Sequence, residues 1–287
     1  MANPEVTAFL DEVTNTLTYV VADPETGQCA VIDPVLDYDL TAGRTSTTSV
    51  DAVIEYIEAN KLSLDLVLET HVHADHLSAA PVLKKRLQAR TAIGDHVTAI
   101  QEVFTGIFGL DDVATDGSQF DLLLADGDEF PVGNIQAKVM HTPGHTPACV
   151  TFVIGDAVFV GDTLFMPDFG TARCDFPGGD AEALYDSIQE IFELPNETRL
   201  FMCHDYKAPG RDEFAWETSV AEQRKDNIHI HDGISKQEFV DFRIGRDSQL
   251  GMPKLIVPSI QVNIRAGDMP DSEGNGVSYL KVPVNVL

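Results

Sequence analysis

The run Thr70-His71-Val72-His73-Ala74-Asp75-His76 packs three histidines and one aspartate into six residues. The whole chain has nine histidines in 287 residues, so chance rarely produces such a cluster. Imidazole nitrogen and carboxylate oxygen are the usual ligands of zinc, iron and manganese. Just before the cluster, Leu64–Thr70 (LDLVLET) is a short apolar run that reads as a buried strand. If the strand runs on, His71 and His73 project to the same side. Asp75 and His76 then lie on the turn into a helix and face a neighbouring position. The string can therefore serve two adjacent metal sites. The competing reading is a polar loop with surface histidines, and ligand chemistry favours the metal.

Outward from this run, strands and helices mix. Upstream, Leu17–Ala22 and Cys29–Asp33 are β-rich runs joined by the turn-forming Asp23–Gly27. Ser49 and Asp51 are candidate caps for a helix carrying Val53, Ile54 and Ile57. Downstream, Ser78 is a candidate cap for a helix with Pro81 in its first turn and Lys84, Lys85 and Arg86 beyond. Val97–Leu110 reads as helix, and Asp126–Asp128 as a turn. Ile135–Met140, Cys149–Ile154 and Ala157–Val160 read as strands, the last two joined by Gly155-Asp156. Asp180 is placed to cap a helix over Ala181–Leu194, with Leu184, Ile188, Ile191 and Phe192 on one face. Thr198–Cys203 is a strand and Trp216–Asn227 a predicted helix. The tail from Asp232 to Leu287 is punctuated by Gly, Pro and Asn, with strand-like runs such as Leu255–Pro258. The pattern predicts a layered α/β (α+β) fold.

Three later pieces complete a ligand set, each just after a predicted strand. They are His141-Thr142-Pro143-Gly144-His145, Gly161-Asp162-Thr163 and Met202-Cys203-His204-Asp205-Tyr206. Loops leaving strand ends can converge on one rim, and Gly144 and Gly161 free the backbone beside His145 and Asp162. Each piece alone is weak; their order and spacing together make the signal.

Composition bounds the function. Apolar residues make up 44% and charged residues 23%, an ordinary globular balance. Nineteen Lys and Arg against 46 Asp and Glu leave a net charge of −27, which opposes binding to nucleic acid or anionic membranes. No apolar run approaches the roughly 18 residues of a membrane span. Met1–Leu10 has no features of a secretory leader, and the four scattered cysteines form no CxxC pair. A cytoplasmic protein is expected.

The ordered set His71, His73, Asp75, His76, His145, Asp162 and His204 resembles the metallo-β-lactamase superfamily over roughly residues 10–215. The resemblance implies a four-layer αββα sandwich with metal on one edge. In dinuclear members one metal takes the positions of His71, His73 and His145, and the other those of Asp75, His76 and His204, with Asp162 bridging. His141 lies outside that set and is expected to be structural or to support the ligands from behind. The domain reading is one unit over residues 1–287, with 225–287 a C-terminal extension packed on it.

Further stretches resemble the persulfide dioxygenase branch of that superfamily: THVHADH, HTPGHTPACVTF, GDTLF, GTARCDFPGGD, LFMCHDY and PKLIVPSIQVNIRAG. This resemblance extends over almost the whole chain. It implies one Fe(II) per chain on His71, His145 and Asp162, with His73, Asp75, His76 and His204 as outer residues or a second metal site. Two histidines and a carboxylate on one face leave three open positions, as in non-haem iron oxygenases. The implied reaction oxidises glutathione persulfide with O2 to sulfite and glutathione, and a homodimer is implied with it. Arg173, which aligns with an arginine beside the family's site, is a candidate carboxylate clamp; a structural Arg173–Asp175 pair is the alternative. Tyr206 and Lys207 are candidate glutathione contacts. Arg265 is expected to be structural, and Cys174 to be a buried thiol without a catalytic role.

The chief alternative is a dinuclear zinc thioester hydrolase of the glyoxalase II kind, with one or two Zn(II), which all seven ligand types would serve. The strand-like tail argues against it, because that family carries a helical C-terminal domain. A lactone hydrolase and a non-catalytic sensor or scaffold are further alternatives.

Overall fold

The computed structural model describes residues 3–286. Along the chain run β1 (Glu5–Asp11), β2 (Thr16–Ala22), β3 (Gln28–Ile32), β4 (Val35–Asp39), β5 (Arg44–Ser46), α1 (Thr48–Ala59), β6 (Ser63–Glu69) and β7 (Leu77–Ser78). There follow α2 (Ala80–Leu87), β8 (Arg90–Gly94), α3 (Val97–Phe108), β9 (Leu122–Leu124), β10 (Glu129–Val132) and β11 (Ile135–His141). Then come β12 (Val150–Ile154), β13 (Ala157–Phe159), α4 (Ala181–Phe192), β14 (Arg199–Phe201) and β15 (Glu217–Ser219). Helices α5 (Val220–Asp226), α6 (Lys236–Asp247) and α7 (Ile256–Asn263) complete the order.

Two six-stranded sheets, β1-β2-β3-β6-β8-β9 and β10-β11-β12-β13-β14-β15, pack face to face. Strand alternation decides which side chains meet between them. In β2, Leu17, Tyr19 and Val21 point into the inter-sheet core, where they meet Phe152, Phe159 and Phe201 of the other sheet. Val20 and Ala22 point the other way, onto Val53 and Ile57 of α1 and Leu83 of α2. On the far side, Leu184, Ile188 and Ile191 of α4 cover Val158 and Leu200. The layers therefore run helix, sheet, sheet, helix, as expected. A short sheet, β5-β4-β7, hangs beside the first.

Several local expectations need correction. Asp180 does cap α4, accepting from the N–H groups of Glu182 and Ala183. Ser49 and Asp51 do not cap α1: Asp37 takes the Ser49 N–H and hydroxyl, and Thr47 precedes the helix without a side-chain cap. Ser78 lies in β7, where its Oγ accepts from Ala80 N–H at 3.0 Å. Trp216–Asn227 is not one helix. Its start pairs with β14 as edge strand β15, and Ser219 then caps α5 through Glu222 N–H.

The largest correction is the tail. Leu255–Pro258 is not strand-like; it opens α7. Four residues in isolation show no period, whereas Ile256, Ile260 and Ile264 recur every fourth residue and pack together against Ile100 and Phe104 of α3. Pro258 sits in the first turn, where its missing N–H costs nothing. The tail also forms α6, opened by a Ser235/Glu238 capping box. The sequence argument against a hydrolase, resting on a non-helical tail, therefore falls.

Candidate metal centre

Sheet register brings the scattered ligand candidates to one edge. β13 and β14 run parallel with Phe159 opposite Phe201. Asp162 and His204 each lie three residues beyond those partners, so both leave the second sheet on the same side. In the first sheet, β3 and β6 run parallel with Ile32 opposite Leu68. Asp33 and the Thr70–His76 loop emerge there together. The Thr70 carbonyl accepts from Val150 N–H at 2.9 Å, joining this edge to β12 and to the loop holding His145. Two glycines permit the tight approach. Gly161 has φ +51° with Thr70 pressed against the position of a Cβ, and Gly144 has φ +144° against the backbone of Leu184.

Ligand atoms of His71, His145 and Asp162 lie within 4.8 Å of one another, as do those of His73, Asp75 and His76. The Nε2 atoms of His71 and His145 stand 3.9 and 3.6 Å from Asp162 Oδ2. His204 Nε2 lies 3.3 Å from Asp162 Oδ1 and 3.4 Å from Asp75 Oδ2. His71, His73, His76 and His204 are buried.

Hydrogen bonds fix which nitrogen of each ring faces inward. His145 Nδ1–H donates to the Arg173 carbonyl at 2.8 Å, so its Nε2 lone pair faces Asp162. His204 Nδ1–H donates to the Asn15 carbonyl at 3.2 Å, which likewise aims its Nε2 lone pair inward. His73 is reversed: its Nε2–H donates to Asp33 Oδ1 at 3.0 Å, leaving Nδ1 toward the cluster. His71 Nε2, His73 Nδ1, His76 Nε2, His204 Nε2 and Asp162 Oδ1 are all buried without a hydrogen-bond partner. Buried polar atoms are normally satisfied. Lone pairs that converge on one another and on carboxylates fit a bound cation, and the N/O donor set suits zinc or iron. A metal would be held by these residues, in one or two adjacent positions.

Charge reinforces the picture. Burial pushes His71 well below the ordinary histidine value, helped by His73 and His145, so its ring is a neutral donor. Burial opposes ionisation of Asp75, but His204 and His76 outweigh it and hold the carboxyl well below the usual range. Burial would also discharge His73, yet Asp33 and Glu69 raise it well above the usual value. Asp33 itself is held down by His73 and by the N–H and hydroxyl of Thr70 at 2.8 Å each, against the effect of burial.

A cavity of about 660 Å3 opens on this cluster and includes Asp75, His145 and Asp162 in its wall. Arg173 and Tyr206 also line it. Arg173 is engaged by Asp175 at 2.5 and 2.6 Å and by the Gly251 carbonyl at 2.7 Å, so the structural pair exists. Lys207 is not among the lining residues; its ammonium sits 4.2 Å over the Phe214 ring. His141, outside the cluster, donates its Nε2–H to the Pro147 carbonyl at 2.8 Å and stacks on His96. Arg265 binds Gln261 O and Asp112, a structural role. Burial pushes the Cys174 thiol up to about 12, which leaves it inert.

Several supporting residues escaped the sequence reading. Asp33 orients His73 and ties down Thr70. Asn263 of α7 donates to the carbonyls of His73 and His76 and accepts from Ser78 N–H, all at 2.8 Å. Asp247 of α6 accepts from Cys174 N–H at 2.8 Å, and Arg243 donates to Thr171 O at 3.0 Å. These two hold the strap whose Arg173 carbonyl orients His145. An aspartate ending a buried strand was the one visible signal, at Asp33; the others depend on tail packing.

An αββα sandwich with such a histidine–aspartate cluster at its edge defines a class of metal-dependent enzymes. Residues 11–204 match the family model of the metallo-beta-lactamase superfamily, and the chain belongs to that superfamily. A probable metallo-hydrolase of Burkholderia pseudomallei is 50% identical over 98% of this chain and 99% of its own length. A beta-lactamase hydrolase-like protein of Xylella fastidiosa is 52% identical over 99% of this chain, which spans only 65% of that protein. The human mitochondrial persulfide dioxygenase ETHE1 is 32% identical over 90% of this chain and 87% of its own. Among solved structures, ETHE1 from Myxococcus xanthus superposes with a TM-score of 0.73 at 33% identity, over 92% of this chain and all of that one. No helix among the described residues is long and apolar enough to cross a membrane.

Proposed function

We propose that this chain is a non-haem Fe(II) persulfide dioxygenase that converts glutathione persulfide, O2 and water to sulfite and glutathione. The observation that carries the reading is which donors reach the cavity. Asp75, His145 and Asp162 line it, and His71, buried at 1% exposure, completes a trio with the last two. His73, His76 and His204 are shut behind them at 0% exposure. A substrate entering the cavity meets His145 and Asp162 of that trio, with Asp75 beside them. An iron held by His71, His145 and Asp162 would supply the electron chemistry that O2 activation requires. The protein's part is to orient. The Arg173 carbonyl holds His145 in the Nδ1–H tautomer, and Thr70 hydroxyl meets His71 Nδ1 at 3.0 Å. Tyr206 and Phe165 wall the cavity, packed edge to face with ring centroids 5.9 Å apart. In this reading the protein works as a cytoplasmic homodimer. Similarity to the human persulfide dioxygenase supports the dioxygenase activity in this reading.

A second reading has its own observation. The inward, unpartnered nitrogens of His73, His76 and His204 suit a second metal, and a relative at 50% identity is called a metallo-hydrolase. Two zinc ions would then activate water for thioester hydrolysis.

Oxygen uptake by iron-loaded protein given glutathione persulfide decides between them, with S-lactoylglutathione hydrolysis measured on zinc-loaded protein. Uptake with stoichiometric sulfite supports the dioxygenase. Hydrolysis without uptake overturns it in favour of the dinuclear enzyme.

A further inference from the structure

Cys29, Cys149, Cys174 and Cys203 are all free thiols. Among the described residues, only Cys203 shares a close group with metal-ligating atoms. Its Sγ and one ring nitrogen each of His73 and His204 lie within 4.8 Å of one another. Cys203 stands two residues beyond the end of β14, and β2 pins this stretch from the side. Leu17 N–H donates to the Cys203 carbonyl at 2.8 Å, and the Tyr19 hydroxyl to the Met202 carbonyl at 2.5 Å. The thiol donates to Asp33 Oδ2 at 3.6 Å, on the same carboxylate that accepts from His73 Nε2–H. Cys203 is 2% exposed, and His73 and His204 are fully buried. Each of these two rings keeps a buried nitrogen without a hydrogen-bond partner, Nδ1 of His73 and Nε2 of His204. His73, Cys203 and His204 all lie outside the cavity wall.

The trio of His71, His145 and Asp162 offers nitrogen and oxygen alone, whereas Cys203 brings sulfur. Ligand softness therefore separates the two places. Thiolate favours thiophilic ions, while imidazole with carboxylate also suits iron. We infer that His73, Cys203 and His204 form a buried site for a thiophilic divalent cation such as Cd2+. Loading is a proton exchange. A metal–sulfur bond forms, the thiol proton leaves to solvent, and no oxidation state changes. Asp33 supplies negative charge beside the sulfur. An ion held there is out of the substrate's reach, so it would hold or block the position behind the trio rather than bind substrate. The inference rests on the donor atoms and stands apart from which reaction the trio carries out.

Cadmium chloride titration of the metal-free protein tests it, followed through the ultraviolet thiolate-to-cadmium charge-transfer band. Wild type is compared with Cys203→Ser and Cys203→Ala. Serine keeps an O–H for Asp33, and circular dichroism and melting check the fold of both variants. The wild type should develop the band of one thiolate per chain within the two equivalents that the adjacent positions accept. Both variants should lack the band and bind that equivalent about 100-fold more weakly, one ligand's share of a thiolate–imidazole site. A wild type that takes up no Cd2+, or takes it up without the band, overturns the site. So does a band that survives in both variants. Cadmium NMR of the wild type gives a reading independent of the variants. A downfield resonance marks one sulfur ligand, and a shift typical of nitrogen and oxygen ligands alone overturns the proposal.

Discussion

Replacing Asn263 by alanine should damage the metal centre from a residue that touches no metal ligand's side chain. Its carboxamide makes three contacts of 2.8 Å, to His73 O, His76 O and Ser78 N–H. Asn263 itself is 4% exposed. Alanine leaves two buried carbonyls and one buried N–H without this partner. An unsatisfied buried group costs about 1–3 kcal/mol. The three share one side chain and are not additive, so a loss of about 3–6 kcal/mol is expected. Native stability is typically about 5–15 kcal/mol, so the variant folds but is visibly weakened. At roughly 2–3 °C per kcal/mol for a chain of this size, the melting temperature should fall by at least about 6 °C. The same three bonds hold the loop in the shape that aims His73 Nδ1 and His76 Nε2 inward, so zinc affinity should also fall, by about 10- to 100-fold. Asn263→Asp separates bonding from bulk. It keeps an acceptor for Ser78 N–H but sets a carboxylate oxygen against two carbonyl oxygens, and should be at least as damaging as alanine. The assay is thermal melting of metal-free protein together with competitive zinc titration. A drop under about 2 °C with unchanged zinc affinity would refute the view that α7 braces the histidine loop.

Other expectations follow from single contacts. Gly161→Ala places a Cβ 2.8 Å from Thr70 Cβ and Oγ1 at φ +51°; the strand end must shift, and metal retention on dialysis should fall while the secondary structure by circular dichroism persists. His229 accepts from Thr171 N–H at 3.0 Å, and burial, with Arg243 and Arg246 nearby, lowers its value to about 3. The unfolded chain thus binds a proton near pH 6.5 that the folded one refuses, so its contribution is full above pH 6.5 and is lost as pH falls toward 3. After allowance for partial solvent access this is about 2 kcal/mol, and His229→Asn should flatten the acid limb of a stability–pH curve. Cys174, with its thiol near 12, should resist iodoacetamide at pH 8 in native protein and react on unfolding. Asp162→Ala should abolish metal binding by the His71–His145 trio, read by metal analysis after dialysis.

The legible part of this protein is the part whose signal is local. A short apolar run ending in a histidine cluster can be read from its own residues, and β2, β6 and the cap at Asp180 follow the pattern written in them. The seven ligand candidates share one edge because they all follow strand ends, which sequence order alone suggests. What was not legible depends on partners far along the chain. Asn263 lies 190 residues from the carbonyl of His73 that it binds. Arg173 looked equally suited to clamp a substrate or to pair with Asp175, and only the placement of Gly251 O behind it shows the pair braced on both sides. The tail misled because its helix-forming isoleucines are spaced by polar residues and proline, so a four-residue window showed β-branched side chains and no period.

That misreading bears on function. A helical tail no longer distinguishes a dioxygenase from a thioester hydrolase, so the discrimination must come from the centre itself. There the two donor sets are unequal in one respect that chemistry can use. His145, Asp162 and, from the second set, Asp75 all reach the cavity, but His73 is tied through Nε2 to Asp33 and stands 3.4 Å from Glu69, with Asp33 holding it toward the charged form. A metal before His73 Nδ1 must displace that favoured proton, and a metal at the His71 trio meets a ring already neutral. Sequential filling follows: the trio loads first, and the second position fills only at higher pH or higher metal concentration. Asp33→Asn lowers the proton affinity of His73 and should therefore ease the second loading while leaving the first nearly unchanged. Zinc titration followed by calorimetry at pH 6 and 8 measures it. Two equal, pH-independent steps in the wild type would show that the donor sets are equivalent and return the dinuclear hydrolase to the front.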